Sequence, residues 1–546
     1  MKRHCLAALL AGLLVSAGPA AAQPRPAADG RVAAGRLVVG LSVAPSGLDP
    51  HAYAANSDSA VHANIYEALV RIDPAGAAAP SLATGWSVAE GFAWDIALRP
   101  GVVFHDGTPF TAQDVVASFA RASGLKTSLR GLASKLQPIT RVDVRGPHAL
   151  RLYTAGPAPT LIADLAKVPI LRRSAATVTE PEAFNSLREA IGTGPFRAVG
   201  YVPEASLELA RHAGWWGGAQ PWATAALRFI PRDAVRAAAL LAGDLDVIEK
   251  VSAADAQMLA GRRDFTLARA SAASAVYVIP HVAREEGGAF LAGPGGGPLA
   301  TNPLRDRRVR QALSRAVARP ALTERLLAGA GIPAGQIAPN DTAQFVPGFG
   351  TPAQDLAAAR ALLAEAGFGE GFRLTLHGPS DRYAGITQVA EALAQMWSRI
   401  GVAAQVETMP WNMLARRAGR GEFAALLFAC CASTLDTLSV TRDLLASNDP
   451  ARSLGVSNYG RYANPALDRI LEEGLTSFDP MVRARAQREA AQVLAEDVPL
   501  VLLYHPVNIW AARAPVVYEA RLDGLSPVTG AARGPGDVGV RPNAWP

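Results

Sequence analysis

The feature that most constrains this chain is the run from residue 305 to 428, where helical and strand patterns alternate. Apolar residues at helical spacing predict helices over 305–317 and 352–366. A strand at 372–377, a helix at 386–400, a strand at 402–408, a short helix at 412–417 and a strand at 423–428 then follow. Alternation at this pitch predicts an α/β fold with a largely parallel sheet and helices packed on it, because parallel neighbours need a crossover between them. Two amphipathic helices over 466–475 and 480–496 then lead to a buried strand at 499–504.

The part before residue 275 has a different texture. Residues 36–43 read as a first strand, followed by the turn Pro45-Ser46-Gly47. Helical spacing covers 57–70, with Val61, Ile65 and Leu69 on one side. Residues 86–98 and 139–153 read as hairpins turning at Glu90-Gly91 and Gly146-Pro147. Thr111 caps a helix over 111–121, with Asp114 three residues on as a partial capping box. Strands at 207–209 and 226–230, a helix at 234–241 and a buried strand at 245–248 complete this part. The Gly-rich stretch 287–298 reads as a surface loop.

Composition supports large cores. The 546 residues are 50% hydrophobic and 18% charged, with room for about three or four domains. The formal charge of +6 looks basic, yet the chain has only five lysines and its arginines are interleaved with acids. Nucleic-acid binding needs a concentrated basic stripe, and none is present, so no nucleic-acid partner is expected.

The N-terminus carries a short positive region, an apolar stretch over 5–17 and Ala20-Ala21-Ala22 before Gln23. This pattern reads as a cleavable signal peptide over 1–22. The apolar run falls short of the ~20 residues that span a bilayer. A soluble, exported product is expected. After cleavage two cysteines remain, Cys430 and Cys431, and being adjacent they cannot staple distant segments. They read as small buried thiols, with a strained vicinal disulfide as the alternative.

Catalytic patterns are scarce. The chain has no GxSxG, GxxxxGK[ST] or HExxH. His281 and Glu285 are four apart but enter the Gly-rich loop without further ligands. His105-Asp106-Gly107 is turn chemistry. No catalytic residue, metal or cofactor is expected. Triads are spatial, so a secreted hydrolase stays as the alternative, beside a sensor.

One long segment carries a resemblance. Trp94 through Val115, including Phe104-His105-Asp106-Gly107-Thr108-Pro109-Phe110, resembles the signature of the family 5 extracellular solute-binding proteins, the dipeptide/oligopeptide-type receptors of bacterial ABC importers. Leu48-Asp49-Pro50, Tyr66-Glu67-Ala68-Leu69, Gly192-Thr193-Gly194-Pro195-Phe196, Val309-Arg310-Gln311-Ala312-Leu313, the helix from Asp355 before Gly367-Phe368, and Asn464-Pro465 agree in order. The resemblance implies a two-lobed periplasmic-binding-protein clamp (type II, cluster C-like) with an extra inserted subdomain. Residues 23–56, 189–275 and 499–546 would form lobe I, 57–188 the inserted subdomain and 276–498 lobe II. It implies a monomer in the periplasm that closes on a small-molecule or short-peptide ligand and delivers it to ABC permease subunits with their ATPases.

By the same analogy four stretches reach the cleft. They supply Ser46, then Arg382 with Tyr383 as holders of a ligand carboxylate, then Trp411, then the stretch 428–436 with Cys431, Ser433 and Asp436. Peptide receptors of this type carry an aspartate near Ser433 that pairs with the peptide amine. A serine cannot neutralise an ammonium, so either Asp436 reaches in or the ligand has no free amine there.

Overall fold

The computed structural model describes residues 32, 35–125, 132–383, 385–431 and 436–534, with the backbone alone at Cys430 and Cys431. Its organising element is the strand Val501–Arg513, which runs through a 13-stranded sheet. Early residues of this strand pair with Ser274–Pro280 and Gly331–Pro333. Later ones pair with Phe265–Ser271 and Val247–Ile248. The strand expected at 499–504 is therefore only its beginning. Pro506 has no N–H to give, which masks the continuation in the sequence. Its carbonyl accepts from the Ala272 N–H at 2.7 Å, in the gap between Phe265–Ser271 and Ser274–Pro280.

On one side of that crossing lie Arg36–Leu41, Thr224–Phe229, Ser206–Arg211 and Phe196–Val202. Successive strand residues face opposite ways. Leu37, Val39 and Leu41 accordingly pack with Leu207, Leu227 and Trp510, while Val38 packs with Leu240, Ile248 and Ala511. On the other side lie Ser274–Pro280, Ala425–Cys431, Phe372–Pro379, Val402–Met409 and the short edge strand Leu291–Ala292. Here Val276, Val278, Leu427 and Leu503 face one core, and Tyr277, Ile279, Leu426 and Leu502 the other. A sheet buried on both faces reads as continuous apolar runs, which is how these strands appear.

A separate four-stranded antiparallel sheet joins Ala83–Ala89, Ala93–Leu98, Ala149–Thr154 and Ile139–Gly146. Its own core holds Trp94, Phe104, Phe110, Val115 and Leu152 under the helix Ala112–Gly124. The Asp114 carboxylate accepts from the Thr111 N–H at 2.8 Å and closes the expected capping box.

Three expectations change. The helix over 57–70 spans only Asn56–His62. The Asn64 amide donates to the Ala60 and Val61 carbonyls at 3.1 Å each and ends it. The helical spacing beyond that point reflects two cores, since Val61 and Ile65 pack with the Arg36–Leu41 strand and Leu69 with the four-stranded sheet. The large sheet is mixed rather than largely parallel. Parallel pairing joins Phe372–Pro379 to Val402–Met409 and to Ala425–Cys431, and Arg36–Leu41 to Thr224–Phe229 and Val247–Ile248. Hairpins and the long crossing strand supply the antiparallel neighbours. The Gly-rich loop contains the edge strand Leu291–Ala292. Among the described residues no helix is long and apolar enough to cross a membrane.

Candidate functional site

In open α/β sheets ligands collect outside the carboxyl ends of parallel strands. Three such ends lie side by side here. Phe372–Pro379 ends at Ser380 and passes through Asp381, Arg382 and Tyr383 to Gly385, whose φ of 71° suits glycine before the helix Ile386–Ser398. Val402–Met409 ends at Pro410, which opens the helix Trp411–Gly419. Ala425–Cys431 carries Phe428 near its end.

The side chains from these three ends converge. The Trp411 N–H donates to the Asp381 carboxylate at 2.9 Å, tying the first end to the second. The Tyr383 hydroxyl donates to the Ala429 carbonyl at 2.6 Å, tying the first to the third. Trp411 stacks on Phe428 with centroids 4.9 Å apart and planes at 23°. Tyr277 and Tyr459 meet Phe428 edge-on, each at 6.1 Å. The Arg382 guanidinium lies 4.6 Å from the Trp411 ring centroid, 5.6 Å from Tyr383 and 5.9 Å from Phe428. A cation over an aromatic face is stabilised there by about 0.5–1 kcal/mol when exposed. Arg382 itself is exposed, and its guanidinium has no carboxylate partner among the described residues. The result is an oriented, unspent guanidinium on an aromatic platform.

The other half of the large sheet offers a second set of carboxyl ends. Ser42, just past Arg36–Leu41, donates from its N–H and its hydroxyl to Glu249 at 2.8 and 2.7 Å. The Ser526 hydroxyl donates to the same carboxylate at 2.5 Å. The turn that follows is pinned on several sides. Asp58 accepts from the Ser46 N–H at 2.7 Å, the Asn185 side chain accepts from the Leu48 N–H at 2.9 Å, and His62 Nε2 lies 2.8 Å from the Gly47 carbonyl. Burial holds the His62 imidazole below its usual pKa, so it donates that bond as a neutral ring.

The structure thus brings Arg382, Tyr383 and Trp411 together and leaves Ser46 on the other half of the sheet. Asp436 has other work. Its carboxylate accepts from the Ser439 N–H at 3.2 Å and from the Ser439 hydroxyl, capping Thr437–Leu445, and pairs with Arg483 at 2.8 Å. Cys431 is described only as backbone, paired with Ser274. Ser433 lies outside the described residues. Tyr277, Tyr459, Glu249 and Arg483 escaped the sequence reading because no motif links such distant positions. Among the described residues no three His, Cys, Asp or Glu side chains gather as a metal-binding group.

Comparison with known proteins finds similarity over most of the chain. The family model described as bacterial extracellular solute-binding proteins, family 5, middle, matches residues 77–451. Protein XP55 of Streptomyces lividans is 28% identical over 514 residues, covering 91% of this chain and 87% of its own. The periplasmic murein peptide-binding protein MppA of Escherichia coli is 26% identical over 505 residues, covering 86% and 88%. The structure of HbpA2 from Haemophilus parasuis superposes with a TM-score of 0.79 at 21% identity, covering 91% of this chain and 99% of that one.

Proposed function

The chain belongs to the bacterial extracellular solute-binding proteins of family 5, the capture components of ABC importers, and on that premise we propose that its ligand is a small solute or short peptide whose carboxylate is held by Arg382. The observation that carries the reading is the unspent guanidinium over Trp411. A planar fork held in place before the ligand arrives loses less freedom on binding than a mobile lysine would. Tyr383 is fixed by the Ala429 carbonyl and Trp411 by Asp381, so the platform is formed in advance. Asp436 is committed to Arg483 and to its own helix, so recognition rests on the carboxylate end of the ligand rather than on an amine held by Asp436. The relative MppA is named for murein peptides, which carry carboxylates.

In this reading residues 23–56, 189–275 and 499–546 form one lobe, 57–188 an inserted unit and 276–498 the other lobe. Core packing favours a narrower inserted unit, since Val61 and Phe184 pack with the first lobe while Leu69 through Ile170 build a core of their own. The Ser46 turn serves as the first lobe's contact, and the Arg382 platform as the second's. A ligand touching both lobes stabilises only the closed arrangement and shifts the population toward it. The chain acts as a monomer in the periplasm, its leader over 1–22 removed, and presents the closed form to permease subunits.

Thermal unfolding and calorimetry against a panel of dipeptides, each free and C-terminally amidated, test this. A ligand at one hundred times its Kd adds about 2.7 kcal/mol of stability. Free carboxylates should raise the Tm, amidation should weaken binding at least about tenfold, and Arg382→Ala at least about a hundredfold. Equal affinity for amidated ligands, or full affinity in Arg382→Ala, would overturn the reading.

A further inference from the structure

A cavity of about 470 Å³ lies far from the Arg382 platform in sequence and in its walls. The described residues that line it come from 50–81, 166–169, 195–217 and 519–530, and none comes from the half that carries Arg382. Pockets of this size hold small organic ligands. One wall is aromatic and rigid. The Trp215 and Trp216 indole N–H groups both donate to the Glu67 carboxylate, at 3.2 Å and at 3.0–3.1 Å, and the Thr193 hydroxyl donates to it at 2.9 Å. The Arg99 guanidinium covers Trp216 at 3.8 Å. With its indole N–H groups turned inward to Glu67, the pair is locked, and Tyr53 adds a further ring to the lining.

Two opposite charges in the lining make no hydrogen bond. The Lys167 ammonium and the Glu519 carboxylate are both half-buried. Neither side chain makes a hydrogen bond or ion pair among the described residues. The other charges nearby are already matched: Arg521 is bound to Asp523 at 2.5 Å and to the Ile72 carbonyl at 2.8 Å, and Arg71 donates to the Pro80 carbonyl at 3.3 Å. Asp523 attracts the Lys167 ammonium, and Arg521 and Arg71 attract the Glu519 carboxylate, but none makes a hydrogen bond to either, so each half-buried charge regains only part of the hydration it loses. Burial accordingly holds the Lys167 amine below, and pushes the Glu519 carboxyl above, its ordinary pKa.

We propose that this cavity is a second binding site, for a small zwitterion with an apolar or aromatic body: its carboxylate meets Lys167, its ammonium meets Glu519, and its body lies against Trp215, Trp216 and Tyr53. The inference does not rest on the assignment of the Arg382 platform. Two opposite charges in one lining beside an aromatic wall match an amphoteric molecule, whereas a simple anion or cation would meet only one of them.

Labelling with 5-fluorotryptophan gives the test, with the Trp215 and Trp216 signals assigned by Trp→Phe variants and followed by fluorine NMR. Millimolar L-phenylalanine should shift both signals. Phenylalaninamide, which lacks the carboxylate, and N-acetylphenylalanine, which lacks the ammonium, should each need at least about tenfold more ligand. Lys167→Gln and Glu519→Gln should weaken the phenylalanine response to a similar extent, while Arg382→Ala leaves it intact. The analogue comparison needs no variant, so a misfolded variant leaves the test standing. Absence of any shift, a blocked analogue that acts at the same concentration as phenylalanine, or loss of the response in Arg382→Ala would overturn the proposal.

Discussion

At the residue scale the Asp49–Arg121 pair is a buried ion pair. Asp49 is fully buried and Arg121 nearly so, and the guanidinium meets the carboxylate twice, at 2.9 and 2.6 Å. The pair ties the Leu48-Asp49-Pro50 turn to the helix Ala112–Gly124. Removing one partner strands a buried charge, so Asp49→Ala should cost about 3–5 kcal/mol in urea unfolding. Replacing both by apolar side chains should recover most of it. Burial pushes the Asp49 carboxyl upward, but Arg121 and the His51 N–H outweigh it and hold it below its ordinary pKa. Its contribution is therefore complete above the unfolded value of about 4 and is lost only as pH falls through the lower folded value. His51 acts at milder pH. Burial lowers its pKa to about 4, against about 6.5 when unfolded, so the unfolded chain binds the extra proton between those values. The stability this neutral imidazole supports is whole above about 6.5 and drains as pH falls toward 4, by about 1.4 kcal/mol per pH unit. The Tm should fall between neutral pH and pH 5, and His51→Gln should flatten that slope. An unchanged slope in His51→Gln would assign the fall to other groups.

At the element scale, caps and strand ends decide the outcome. The Asp114 carboxylate satisfies the Thr111 N–H and hydroxyl and also accepts from the Arg173 N–H at 2.8 Å. Asp114→Ala strands donors in two segments and should cost about 2 kcal/mol, more than an isolated cap. A cost below half of that would show that water replaces the carboxylate. Elements closed by local chemistry were legible in the sequence: the Thr111 helix, the hairpins at Glu90-Gly91 and Gly146-Pro147, and the alternation from 372 to 428. Elements defined by distant partners were not. The strand Val501–Arg513 continues through Pro506 because Ala272 and Gly331–Pro333 receive it, and nothing near Pro506 announces that. The candidate site divides in the same way. Arg382, Tyr383 and Trp411 follow strand ends that periodicity marks. Tyr277 and Tyr459 join them only through the tertiary packing around Phe428. Asp436, a free acid in the sequence, is claimed by Arg483 from 47 residues away.

At the scale of the whole molecule, two half-sheets share the crossing strands 265–280 and Val501–Arg513. At the crossing the Ala272 N–H donates to the Pro506 carbonyl at 2.7 Å, the Ala273 N–H to the Leu522 carbonyl at 3.0 Å and the Ser271 hydroxyl to Asp341 at 2.6 Å, and His505 Nδ1 lies 3.0 Å from the Ser274 carbonyl. A crossing that lies between two packed cores suits a hinge that bends without disturbing either core. Ser271→Ala should cost only about 1 kcal/mol of global stability while changing the rates of ligand association and release measured by stopped flow. Unaltered rates would place the bend elsewhere. The central claim is that a carboxylate-bearing guest draws the two halves together. Small-angle X-ray scattering before and after adding the tightest ligand from the dipeptide panel tests it most directly. The account predicts a smaller radius of gyration with ligand for the native chain and no change for Arg382→Ala at the same ligand concentration; a radius unchanged by a ligand that calorimetry shows to be bound would contradict it.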